Sequence, residues 1–271
     1  MDVSLCRRHI HEYITRGHPI LVAEEKGKVI GECELWLAEE PQPFGRYAAI
    51  EMLMTIKDAD ESAVEMALME KGAEKCKKLG VFNYDVSQEH CGDRPDWAKL
   101  GFEELRDTRT CLCDIRTIEE PDFDFTAKPE VEKYERINRL LAWNHYEPAE
   151  YTLEFHSGLW PTAKLIGFDR HTSRLFMSIE VEAFGFEFLM HASRPDWTSE
   201  ERTIVDIWSN TSVIRKNDMA QLIIKCVAAT VDRLGDGILE VNIPKQLLPA
   251  AREMGFRGGE KPGLWLRKKL D

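Results

Sequence analysis

The feature that most limits the possible folds of this 271-residue chain is an internal repeat. The segment "GECELWLAEEP" at 31–41 aligns with "GFEFLMHASRP" at 185–195, and "KLGFEEL" at 99–105 aligns with "EMGFRGG" at 253–259. Both alignments need the same shift of 154 residues (31 to 185, and 99 to 253). The segments "KKLG" at 77–80 and "DRLG" at 232–235 match at a shift of 155. A near-constant shift at distant places predicts that the chain contains two copies of one structural unit.

Each copy has the same predicted order of elements. A β-hairpin is followed by a short strand, a long helix, a second strand, a short helix that runs into "GF", and a closing antiparallel pair. The long helices are predicted from apolar side chains at helical spacing, from Val64 to Leu79 and from Met219 to Leu234. In the first hairpin the turn is predicted at "EKGK". This order predicts an α/β protein with a mixed sheet.

The boundary between the copies is predicted in the acidic, proline-containing segment "RTIEEPDFDFTAKPE" at 116–130. We therefore expect a first domain at 1–118, which has few elements before its hairpin, and a second domain at 119–271. Pro129 and Glu130 are expected to open a helix through about Trp143, because proline suits the first helical turn.

Composition argues against several classes of function. The net charge of −12 disfavours a broad contact with nucleic acid, and no apolar run is long enough to span a bilayer. The N-terminus lacks the apolar centre of a signal peptide, so a cytoplasmic protein is expected. The seven cysteines include no CxxC pair, and no second pair of ligands follows Cys6, His9 and His11. Neither a disulfide framework nor a metal site is expected.

Several segments resemble a known family. The segments "AKLGFEEL" and "AREMGFRGG" are similar to the "YxKLGF" segment of the GNAT superfamily of acyl-CoA N-acyltransferases. The stretch "DIWSNTSVIRKNDMAQLIIKCVAATVDRLG" is similar to that family's acyl-CoA-binding strand, loop and helix. The resemblance implies two tandem GNAT-like domains, the first truncated and degenerate, with acetyl-CoA as co-substrate.

In this family the CoA pyrophosphate lies at the start of the long helix, where free N–H groups and the helix dipole attract an anion. The matching residues of the second copy are the strand residues Ile207, Trp208 and Ser209 and the loop and helix residues Arg215, Lys216, Asn217, Asp218, Met219 and Ala220. Arg215 and Ala220 keep the family pattern, whereas Asp218 stands where a glycine is usual. The alternative is that Asp218 and Gln221 only cap the helix.

The first copy has lost this loop. Its matching positions are 60–65, whose acidic side chains would repel a phosphate group. Ser62 and Glu65 instead have the spacing of a capping box. The acyl-CoA site is therefore expected in the second copy.

Amine acylation also needs a proton acceptor, which in this family is commonly a carboxylate on the strand before the loop. Asp206 is the positional candidate in the second copy and Glu51 in the first, although either could be an ordinary strand residue. The family's acid, a tyrosine four residues before the glycine of "GF", is replaced by Ala251 and Trp97.

An aromatic-rich segment precedes the second hairpin, where the family often lines its acceptor pocket. Its members are Trp143, His145, Tyr146, Tyr151 and Trp160. They could form a wall of that pocket or part of an ordinary core.

The sequence thus predicts an N-acetyltransferase that acts from its second domain on a small-molecule or peptide amine, as a monomer or homodimer. The alternative is a non-catalytic pseudo-acetyltransferase that binds CoA, a peptide or a protein. The missing tyrosine and glycine favour this alternative.

Overall fold

The computed structural model describes residues 3–87, 97–129, 137, 139–143, 148–151, 171–195, 202–210, 216–232 and 237–271, without the side chains of 5, 171–174 and 194–195. The helices are α1 (Val3–Thr15), α2 (Glu61–Lys78), α3 (Asn217–Val231) and α4 (Leu248–Glu253). The strands are β1 (Ile20–Glu25), β2 (Lys28–Glu40), β3 (Gly45–Thr55), β4 (Asn83–Ser87), β5 (Glu103–Asp114), β6 (Thr126–Pro129), β7 (Leu141–Ala142), β8 (His171–Val181), β9 (Phe186–Pro195), β10 (Arg202–Ser209), β11 (Ile238–Pro244), β12 (Arg257–Gly258) and β13 (Gly263–Lys269). No helix in these ranges is long and apolar enough to cross a membrane.

The two predicted copies have matching geometry. β3 runs parallel to β4 over Ala48–Ile50, as β10 runs parallel to β11 over Arg202–Val205, and a long helix connects each pair. At the two "GF" segments, the N–H of Phe102 donates to the carbonyl of Trp97 and that of Phe256 to the carbonyl of Ala251. Both preceding glycines have a positive φ, so the turn at 97–101 and helix α4 end in the same left-handed conformation. The duplication predicted from the sequence is therefore present in the fold.

One pair of aligned glycines has unequal roles. The first hairpin turns at Lys26 and Gly27, both with positive φ, whereas the turn glycine of the second hairpin is Gly185. Gly31, which the sequence aligns with Gly185, lies inside β2 under α2. A Cβ at Gly31 would come within 2.5 Å of Cγ1 of Val64. Gly31 is thus required for close helix packing and Gly185 for a turn.

The strands of the described residues belong to a single sheet, and the two units exchange strands within it. The order is β1-β2-β3-β4-β13-β5-β11-β10-β9-β8-β6. The last strand of the chain, β13, lies between β4 and β5, and β5 pairs with β11. The closing antiparallel pair expected within each copy is therefore wrong, because β12 and β13 both pair with β5. Residues 103–114 form one strand, and its neighbours belong to the second copy.

Buried polar contacts hold the exchanged strand in place. Arg267 on β13 donates two hydrogen bonds of 2.7 Å to Asp85 on β4, and the indole N–H of Trp265 donates a third at 2.8 Å. Burial raises the pKa of Asp85, and the bonds from Arg267 act in the opposite direction. Because the pair is buried, removing one partner would leave an uncompensated charge in the interior.

The segment between the units departs from its predicted structure. Thr126–Pro129 forms β6, the outermost strand of the sheet, where Pro129 is tolerated because an edge strand needs fewer N–H donors. Leu141–Ala142 forms β7. The helix expected from Pro129 to Trp143 is therefore wrong at both ends, and most of the residues between lie outside the described ranges.

Each unit packs its long helix on one face of the sheet. α2 covers Leu35, Ile50 and Val86, and α3 covers Val205, Ile207 and Val241. On the opposite face of the first unit, the ring of Tyr13 from α1 packs edge-on against Trp36, with ring centroids 5.8 Å apart.

Candidate active site

Asp206 lies where two parallel strands separate. The pairing of β10 with β11 ends at Val205 and Val241, and Asp206 is the next residue. Side chains alternate along a strand, so Asp206 shares a face with Trp208, whereas Val205 and Ile207 pack against α3. The predicted catalytic position is therefore at a fork in the sheet, on the face opposite the long helix.

Asp206 forms a buried pair with a histidine that the sequence analysis did not single out. His191 on β9 is directly opposite Asp206 in the antiparallel register. Its Nδ1 lies 3.3 Å from Oδ2 of Asp206, and the two side chains are 1% and 4% exposed. The register of β9 against β10 brings them together, and this register cannot be read from either strand alone.

Two polar atoms close to this pair lack a hydrogen-bond partner among the described residues. They are Nε2 of His191 and the indole nitrogen of Trp208, both fully buried. The ring of Phe176 lies 6.5 Å from that of His191 and 6.2 Å from that of Trp208. Buried polar atoms are rarely left unpaired. These two atoms are therefore candidates to hydrogen-bond a ligand, and Nε2 of His191 is also a candidate to be protonated.

The edge of β10 beyond the fork is paired with a segment of the chain itself. Leu141 and Ala142 of β7 lie opposite Ser209 and Trp208 in antiparallel register. The N–H of Trp143 continues the ladder with a bond of 2.8 Å to the carbonyl of Ile207. The three strand residues predicted to bind acetyl-CoA therefore already have a strand on that edge.

Trp143 fixes this segment at three points. Besides the backbone bond to Ile207, its indole N–H donates to the hydroxyl of Ser209 at 2.7 Å, and its carbonyl accepts from Arg106 at 3.3 Å. Trp143 is 0% exposed. Of the predicted aromatic wall, Tyr151 is also buried and packs against Trp36, while His145, Tyr146 and Trp160 lie outside the described residues.

Among the described residues, no side chain caps the start of α3. Lys216 is the N-cap residue, and its side chain makes no capping hydrogen bond. The alternative, a capping box of Asp218 and Gln221, is not seen among the described residues: Lys216 is the N-cap residue, and the amide of Gln221 donates to Glu253 at 2.9 Å. Lys216, Asn217 and Asp218 are exposed, Met219 is half-buried and Ala220 is buried. Arg215 lies outside the described residues.

The first unit presents different chemistry at the same places. Glu51 follows the last parallel pair of β3 and β4, as Asp206 does in the second unit, but it is the extra residue of a β-bulge opposite Glu34 and Leu35. His9 from α1 lies 2.9 Å from both carboxylate oxygens of Glu34. Burial lowers the pKa of His9, but the hydrogen bond and charge of Glu34 outweigh it and raise the pKa.

The helix start of the first unit is capped as an ordinary helix. The carboxylate of Asp60 accepts from the N–H of Ala63 at 3.1 Å, and Glu61 adds an acid to the first turn. Capping was predicted, but its residue is Asp60 and not Ser62. The helix begins two residues earlier than the Ser62 pattern implies.

The positions of the missing tyrosine are filled by core residues. Ala251 on α4 is fully buried, and Trp97 is 5% exposed.

A cavity of about 800 Å³ lies on the face that Arg202 and Glu240 share, bounded by Thr108, Thr110 and the loop at 258–263. Neither Asp206 nor His191 lines it.

Comparisons with known proteins agree on the fold. No protein-family model matches the sequence, and no curated protein is similar to it. A GCN5-related N-acetyltransferase from Kribbella flavida is 10% identical with a TM-score of 0.59, covering 100% of this chain and 66% of its own. One from Anabaena variabilis is 12% identical with a TM-score of 0.60, covering 96% of this chain and 66% of its own.

A tandem GNAT protein from the clavulanic acid biosynthesis pathway is 12% identical with a TM-score of 0.50, covering 93% of this chain and 82% of its own. The chain thus spans just under two thirds of the length of the first two proteins. These likenesses show an α/β protein with the fold of the GCN5-related N-acetyltransferases. The chain consists of two tandem GNAT-like units, as the sequence resemblance predicted.

Proposed function

We propose that this protein transfers an acyl group from acetyl-CoA to an amine, and that the C-terminal unit does so. The observation that carries the proposal is the buried pair of His191 and Asp206 at the fork of β10 and β11, in which Nε2 of His191 has no partner among the described residues. The GNAT fold supports the reaction class, and this pair supports the location.

The pair suits the proton transfer that amine acylation requires. If Nδ1–H of His191 donates to Asp206, Nε2 carries the lone pair and can accept a proton from the amine. The amine nitrogen attacks the thioester carbonyl, a C–N bond forms, and the C–S bond breaks. The proton taken by Nε2 then returns to the leaving thiolate, so charge and atoms balance. His191 is the proton acceptor in this scheme, and Asp206 orients it and stabilises its charged form.

The start of α3 suits the binding of acetyl-CoA, whereas the edge of β10 is already paired with another segment of the chain. Acetyl-CoA supplies the acyl group as a thioester. The uncapped start of α3, with Lys216 and, from the sequence, Arg215, provides free N–H groups and positive charge for a pyrophosphate. The edge of Ile207, Trp208 and Ser209 can take the rest of the ligand only when the segment at 141–143 leaves it.

The test is acetyl transfer to a panel of small amines and peptide N-termini by the full chain. His191→Gln should reduce the rate by roughly 10²–10⁴-fold, the usual contribution of a general base. The matched control is His9→Gln, which removes the histidine–carboxylate pair of the N-terminal unit and should leave transfer unchanged. Full activity of His191→Gln, together with loss in His9→Gln, would move the site to the N-terminal unit.

A second candidate is a non-catalytic binding module. It is favoured by β7, which fills the edge of β10, and by Ala251, which replaces the family's acid. In that case the chain acetylates no amine in the panel, even where acetyl-CoA, a peptide or a protein binds to it.

A further inference from the structure

The segment at 141–143 occupies the strand edge that the proposed acyl-CoA site requires. We propose that it is an internal strand that closes this site in the resting protein and must leave β10 before acetyl-CoA binds. The inference rests on the proposed function, because it concerns the regulation of that same site. It is carried by the pairing of β7 with β10.

The segment uses the hydrogen-bonding positions that an extended ligand would need. The pantetheine arm of CoA contains two amide groups, so it can pair with a strand edge as a peptide does. Leu141, Ala142 and Trp143 lie opposite Ser209, Trp208 and Ile207 in turn. An edge can pair with only one strand on a given side, so the segment and the ligand exclude each other.

Residues outside the C-terminal unit hold the segment closed. Arg106 of β5, itself 8% exposed, donates to the carbonyl of Trp143, and its guanidinium lies 5.6 Å from the ring centroid of Phe44. Beyond the segment, the N–H of Ala149 donates to the carboxylate of Glu40 at 3.0 Å. The N-terminal unit and the exchanged strand β5 thus contribute directly to the closed state.

The closed state makes a quantitative prediction. The apparent affinity of a ligand falls in proportion to the fraction of molecules whose site is open. Weakening the segment's contacts should therefore tighten binding of acetyl-CoA. Loss of a buried tryptophan ordinarily has the opposite effect and weakens binding. Removing the hydrogen bond between Trp143 and Ser209 should lower the apparent Kd about fivefold, the factor that one buried hydrogen bond corresponds to.

The experiment is calorimetric titration of the full chain with acetyl-CoA, for wild type, Trp143→Phe and Ser209→Ala. The first variant keeps an aromatic ring but loses the indole N–H, and the second loses the acceptor while keeping the backbone. Ser193→Ala is the matched control, because Ser193 is 3% exposed on the neighbouring strand β9 and pairs opposite Ile204. Hydrogen exchange of the Trp143 amide, with and without acetyl-CoA, gives a second readout that does not depend on activity.

We expect both variants to bind about fivefold more tightly than wild type, Ser193→Ala to bind as wild type does, and the Trp143 amide to exchange faster with ligand bound. Binding by wild type with the Trp143 amide still protected would overturn the closing strand and leave the proposed function standing. Equal affinity of wild type and all three variants for acetyl-CoA would also overturn the closing strand and leave the proposed function standing. No binding by any chain at millimolar acetyl-CoA would overturn the proposed function, and the inference with it.

Discussion

Glu40 makes the stability of this protein depend on pH near neutrality. It is the last residue of β2 and is 7% exposed. Its carboxylate accepts from the hydroxyl of Tyr47 and from the N–H of Ala149, so it joins the two units. Burial raises its pKa from the ordinary 4.5 to about 7, although the bonds from Tyr47 and Ala149 act in the opposite direction.

The sign and size of the effect follow from that shift. A carboxyl group whose pKa is raised by folding binds more protons in the native state, so its contribution is full below pH 4.5 and is lost as the pH rises through 7. A shift from 4.5 to about 7 corresponds to about 3 kcal/mol of unfolding free energy, at 1.36 kcal/mol per pKa unit. Glu40→Gln cannot ionise, so this loss should be absent from the variant.

The assay is urea unfolding of wild type and Glu40→Gln at several pH values between 5 and 8. The free energy of unfolding of wild type, relative to the variant, should fall by about 2.5 kcal/mol over this window, because part of the loss occurs below pH 5. The control is Glu39→Gln, which alters the exposed neighbouring residue and should give a constant difference from wild type. Parallel pH curves for wild type and Glu40→Gln would refute the reasoning.

Three further substitutions test the packing. Arg267→Met leaves the charge of Asp85 buried without its partner, and should lower the unfolding free energy by about 3–5 kcal/mol in urea. Gly31→Ala places a Cβ 2.5 Å from Val64 and should lower it by about 1–3 kcal/mol. Asp60→Ala removes the cap of α2 and should lower it by about 1 kcal/mol in the same assay.

Each of these substitutions has a control that the structure provides. Adding Asp85→Asn to Arg267→Met removes the unpaired charge, so the double variant should be more stable than the single one. Gly237→Ala meets no atom within 4 Å and should be close to neutral. Ser62→Ala should also be close to neutral, because Asp60 makes the cap, and a larger loss at Ser62 than at Asp60 would contradict the assignment.

The elements themselves were predictable because local patterns determine them. Apolar side chains at helical spacing predicted the long helices, which the structure places at Glu61–Lys78 and Asn217–Val231. The repeat predicted that Glu51 and Asp206 hold equivalent places, and each indeed follows the last parallel pair of its unit. Short-range signals and a near-constant alignment shift were sufficient for both conclusions.

The candidate site was less predictable because it depends on pairing between distant strands. The sequence patterns of β5 and β13 do not indicate that each strand lies beside strands of the other unit. His191 meets Asp206 only through the register of β9 and β10. Leu141–Ala142 is too short to be recognised as a strand, and its partner residues are more than sixty positions away, at Trp208 and Ser209.

A crystal structure of the full chain grown with acetyl-CoA tests the proposed site and its closing strand most directly. We expect the ligand along Ile207–Ser209, its pyrophosphate at the start of α3, and Trp143 displaced from β10. Density for the ligand along β3 of the N-terminal unit would contradict the location of the site. Density in the C-terminal unit with Trp143 still bonded to Ser209 would contradict the closing strand.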